Sequence, residues 1–128
     1  MPATTTVEPD PVALRRTRRE MLAAYAARHG YGDLAPRTIR LVGLDAVQVD
    51  GANADESVIV EVDTHPDAGA EGLRARIGQA LLTLSLVRRE RPQSTLVLLV
   101  ANEEVRRAVA RWVPGLGAGH PIRLDVPA

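Results

Sequence analysis

The chain has 128 residues, a formal net charge of zero, 45% hydrophobic and 25% charged residues, and no cysteine. That size suits one domain, zero net charge gives no global pull toward nucleic acid or membrane, and the missing cysteine excludes disulfides, thiol nucleophiles and thiolate metal sites. All sixteen basic residues are arginine, which stays protonated, so lysine Schiff bases and lysine general bases are excluded as well.

Residues 1–9, rich in Thr and Pro, read as a disordered arm, and 10–128 as a single α/β domain. The arm lacks a signal-peptide pattern and no apolar run reaches membrane-span length, so the expected location is the cytoplasm, with no membrane contact. A helix is predicted over 11–29, capped by Asp10, opened by Pro11 and stopped by Gly30, with Leu14, Met21, Leu22 and Tyr25 on one face. Its "RRTRRE" stretch (15–20) reads either as a phosphate-contacting patch or as solvated helix surface. The second is favoured because no aromatic side chains interleave for base stacking.

Residues 38–51 read as strand, or as two short strands with a bend near Gly43, and 57–63 as the next strand. The short "DGANADE" turn between them predicts an antiparallel hairpin. A long helix follows over 70–91, ended by arginines and Pro92, with Leu73, Ile77, Ala80, Leu81 and Leu84 on one stripe. Leu82 and Leu86 lie roughly opposite, so a second cover is expected, either the first helix or a partner subunit. The apolar run 94–101 reads as a parallel strand buried on both faces. A helix over 103–113 capped by Asn102 and a strand over 122–126 complete the order α-β-β-(β)-α-β-α-β, a mixed central sheet flanked by helices. "GLGAG" (115–119) lacks the following helix and the Lys-Ser/Thr pair of a phosphate loop, so that reading is rejected.

The chemistry concentrates in "VIVEVDTH" (58–65). Strand alternation puts Ile59, Glu61, Asp63 and His65 on one face. Pairing 45–49 with 57–63 brings Asp45 toward Glu61. Three converging carboxylates suit a hard divalent cation, Mg²⁺ or Mn²⁺. The alternative is an edge strand guarded by solvated acids. His65 reads as a surface loop residue, His29 as a cation at a helix end, and His120 as uninformative.

"GLDAVQVDGANADESVIVEVDTH" resembles the core of the PD-(D/E)xK nuclease superfamily, the restriction-endonuclease-like fold. In that pattern an Asp starts a hairpin and an apolar strand ends in (D/E)-x-K, followed by helix, β, α, β. The resemblance covers residue 11 to the end, and fold order carries more of it than the short motif. It implies Asp45 as the first metal-binding aspartate, Glu61 as the second acid and Gln79 as the helix glutamine. Asp63 stands in the lysine slot and Arg76 could supply positive charge. The implied function is a metal-dependent nuclease or phosphodiesterase using Mg²⁺ or Mn²⁺ and acting on DNA or another nucleic acid. There Asp45, Glu61 and Asp63 hold the cation, Asp63 accepts or orients the proton of its water, and Arg76 and Gln79 steady the phosphate. The alternative is a catalytically inactive scaffold or interaction subunit, a homodimer or part of a larger complex. A third reading is an unrelated α/β interaction domain that dimerises through Leu82 and Leu86.

Overall fold

The computed structural model describes residues 10–43, 45–116 and 120–128, so the 1–9 arm expected from sequence lies outside the described residues. The order is α1 (Pro11–His29), β1 (Ala35–Ile39), β2 (Val47–Ala52), β3 (Val58–Asp63), α2 (Leu73–Glu90), β4 (Thr95–Val100), α3 (Glu103–Trp112) and β5 (Ile122–Asp125). One five-stranded sheet runs β1-β2-β3-β4-β5. β1, β2 and β3 form an antiparallel meander, and β3, β4 and β5 are parallel. The hairpin and the parallel character of the 95–100 run follow the sequence expectation.

Each helix begins where its capping chemistry dictates. The Asp10 side chain accepts from the Val12 N–H and Pro11 needs no donor partner. Gly30 ends α1 at φ 69°, a left-handed conformation that costs a glycine little. The Asn102 carboxamide accepts from Val105 N–H, while its Nδ2 donates to Pro66 O, fastening the β3–α2 loop to the start of α3.

Two cores lie on opposite faces of the sheet. On one, Ile59, Leu96, Leu98 and Val100 pack with Leu73, Ile77, Leu84 and Val87 of α2 and Val105 and Val109 of α3. On the other, Val58, Val60, Val97 and Leu99 pack with Met21, Leu22 and Tyr25 of α1. β4 is buried on both sides because helices cover both. With α1 across the sheet from α2, the first helix does not cover the outer side of α2, where Leu82 stays 55% exposed.

Strand 38–51 divides into two, as anticipated, but β1 starts earlier and takes in Pro36. Proline is compatible because β1 is an edge strand, where an N–H can be dispensed with. The β1–β2 register shifts between Ala35 and Arg37, which face Ala52 and Val49. β2 therefore carries an extra residue there, a β-bulge. Upstream of it Val47 and Val49 point toward the α2–α3 core, and beyond it Ala52 does so. Asp50 and Gly51 are both left facing α1. Glycine suits the position, since a Cβ would stand 2.7 Å from Leu22 Cδ2 and force that side chain to shift.

The β2–β3 turn is clamped from outside. Glu56 adopts φ 59°, and its carboxylate meets Arg37 of β1 and Arg91 at the end of α2. Its carbonyl accepts from Ser94 Oγ.

Candidate functional site

Asp63 is the one buried charged side chain among the described residues. Its Oδ2 accepts from Arg76 Nε at 2.8 Å and its Oδ1 from the His65 N–H at 3.1 Å. Arg76 sits one turn into α2, which packs on the face that Asp63 shares with Ile59. Both carboxylate oxygens are thus occupied by donors from the loop and helix that follow the strand. Burial without such partners would be costly.

Glu61 does not join it. Its Oε1 accepts from the Asp50 N–H at 3.2 Å, and Val62 N–H donates to Asp50 Oδ2 at 2.8 Å. The β2–β3 ladder proper covers only Gly51↔Val60 and Ala52↔Ile59. At the next step, where the bulge distorts β2, the two carboxyl groups stand in for ladder hydrogen bonds. On the far side Arg18 Nε of α1 lies 3.6 Å from Asp50 Oδ1, an ion pair too long for a hydrogen bond. Burial first, and the neighbouring Asp50 charge second, push the Glu61 carboxyl up to about 8, with Arg18 opposing.

Sequence reasoning placed Asp45 beside Glu61. In the structure Asp45 is exposed, before β2 begins, and Asp50 takes its place opposite Glu61. The reason is the hairpin register: each step forward on β3 is a step back on β2, and residue 61 falls opposite 50. Gln79 is exposed on α2, and His65 lies in the loop with its Nδ1 accepting from the Asp67 N–H. Among the described residues no group of three or more His, Asp or Glu is placed to hold a metal ion. Of the three acids expected to hold Mg²⁺ or Mn²⁺, Asp45 is exposed before β2, Glu61 faces Asp50 and Asp63 is bound by Arg76.

Comparison with known proteins matches no family model, no curated protein and no solved structure. The site therefore rests on its own geometry.

Two features escaped the sequence reading. Asp50 could have been found by counting back from the hairpin turn. A second cluster joins α1 to β5: Tyr25 Oη donates to Asp125 Oδ2 at 3.0 Å, His29 Nε2 stands 3.7 Å from the same oxygen, and Arg28 Nη1 donates to Val126 O. The His29 and Tyr31 rings stack at 5.2 Å, and Arg123 Nη1 donates to Tyr31 Oη. Burial, and next the bond to Asp125, raise the Tyr25 hydroxyl well above its ordinary range. No sequence signal pairs residues a hundred positions apart. None of the described helices is long and apolar enough to cross a membrane.

Proposed function

We propose that this chain is a catalytically silent, nuclease-like interaction subunit, a divergent relative of the PD-(D/E)xK pattern whose motif acids have been given structural work. The observation that carries this reading is the Asp63–Arg76 pair: the residue in the lysine slot is a buried carboxylate bound by a guanidinium. Such a pair can neither activate water as a lysine would nor leave its oxygens free for a cation. The restriction-endonuclease-like assignment is supported by the αβββαβαβ order, the antiparallel meander and the parallel remainder of the sheet. The interaction role is supported by Val42, which is 84% exposed beside Leu86, and by Leu82 on α2, which is 55% exposed. A second copy of the chain is the proposed partner. The test is cleavage of supercoiled plasmid in Mg²⁺ or Mn²⁺. Wild type is expected to cut no faster than Glu61→Gln purified alongside it, and a rate lost on that substitution would refute the reading.

One observation favours a second reading, a metal-dependent nuclease. Asp50 and Glu61 meet on neighbouring strands, where the pattern wants its first and second acids. On that reading Asp50, not Asp45, is the first acid, and the plasmid assay separates the two by comparing Asp50→Asn with Asp45→Asn.

A further inference from the structure

The "RRTRRE" stretch is not absorbed by the reading above. Arg15, Arg18, Arg19 and Leu22 recur at helical spacing on one stripe of α1. That stripe forms one wall of a cleft of about 500 Å³, whose other wall is Leu34, Ala35, Pro36, Gln48, Val49 and Asp50. The volume lies within the range of roughly 300–1,000 Å³ typical of small-molecule sites. Its apolar lining includes Leu34, Ala35 and Pro36 beside Leu22, and its charge is three guanidinium groups against the one Asp50 carboxylate.

Those guanidinium groups are under-used. Among the described residues Arg15 and Arg19 make no ion pair, and Arg18 has only the long approach to Asp50. Arg18 Nε is buried and has no hydrogen-bond acceptor. A buried N–H without an acceptor is unfavourable, and an incoming oxyanion relieves it. The cleft disfavours polymers. None of the three aromatic residues lines it for base stacking, and Pro36 removes a donor from the edge strand that an added peptide strand would pair with.

We propose that this cleft binds a small amphipathic anion: a carboxylate or phosphate head held by Arg15, Arg18 and Arg19, away from Asp50, with an apolar body against Leu34, Ala35 and Pro36. The site uses neither Asp63 nor Arg76 and holds whether or not the fold is nuclease-like.

Calorimetric titration of the full chain with phenyl phosphate, phenylacetate and inorganic phosphate tests it. At least one aromatic anion is expected to saturate at one per chain, at least tenfold tighter than inorganic phosphate, and the tighter of the two identifies the head group. Arg15→Gln/Arg19→Gln, at two exposed positions, is expected to weaken that binding at least tenfold, and Arg111→Gln on α3 to leave it unchanged. Four results would overturn the proposal: no saturable heat with either aromatic anion; equal affinity for inorganic phosphate; equal loss in Arg111→Gln; or tighter binding of a duplex oligonucleotide abolished by the same double substitution, which would make the arginines a nucleic-acid face.

Discussion

Arg76 Nε donates to Asp63 Oδ2 at 2.8 Å across the β3–α2 junction, in a pair whose carboxylate is 7% exposed and whose guanidinium is 44% exposed. This contact decides what the acidic strand is for. Glu61 and Asp63, two residues apart, do not act on one spot: one is bound by the following helix and the other by the preceding strand.

Removing the cation from that pair leaves a carboxylate under the sheet with only the His65 N–H. Arg76→Ala is expected to destabilise the fold by about 2 kcal/mol, below the cost of breaking a fully buried pair because Arg76 is partly solvated. Asp63→Asn in the Arg76→Ala background should recover part of the loss. Urea denaturation measures both, and an unchanged midpoint in Arg76→Ala would mean the pair contributes nothing.

Glu61 governs the pH dependence. Folded, it keeps its proton to about pH 8, whereas in an unfolded chain glutamic acid releases it near ~4.3. Between those values the folded chain binds the additional proton, so stability falls as pH rises and levels off above about 8. The loss is at most on the order of 5 kcal/mol. Glu61→Gln retains an acceptor for the Asp50 N–H without the charge. Its denaturation free energy should exceed wild type's at pH 9 and change less between pH 5 and 9. Parallel curves for the two proteins would show that Glu61 is not the titrating group.

Much of this was legible in the sequence, for identifiable reasons. Helix limits were readable where a cap and a breaker bracket the segment, as Asp10–Pro11 and Gly30 do for α1. The parallel β4 was readable because an unbroken apolar run has no solvent face. The pairing of Asp50 with Glu61 follows by counting back from the turn through Gly51↔Val60; pairing 45–49 with 57–63 set the register too early in the chain and put Asp45 there instead. Arg76 was placed at the site as a source of positive charge, but its bond to Asp63 was missed because that contact forms only when α2 folds back onto its strand.

Gly51 is where that bulge meets α1. Gly51→Ala places a methyl group against Leu22 Cδ2 and is expected to cost about 1–2 kcal/mol. Pairing it with Leu22→Ala should cost less than the two single effects added, because the smaller side chain makes room. Strict additivity in thermal unfolding would place the strain elsewhere.

The exposed side chains of Val42 and Leu82, with half-buried Leu86, predict self-association. Light scattering of wild type should give twice the mass of one chain, and Leu82→Glu should give one. A dimer mass that survives Leu82→Glu would locate the interface on another face.

The most direct test of the central claim is calorimetric titration of wild type with Mn²⁺ at pH 7. Carboxylates committed to Arg76, His65 N–H and the β2–β3 gap predict no saturable heat up to millimolar ion. Stoichiometric micromolar binding that disappears in Glu61→Gln would contradict it.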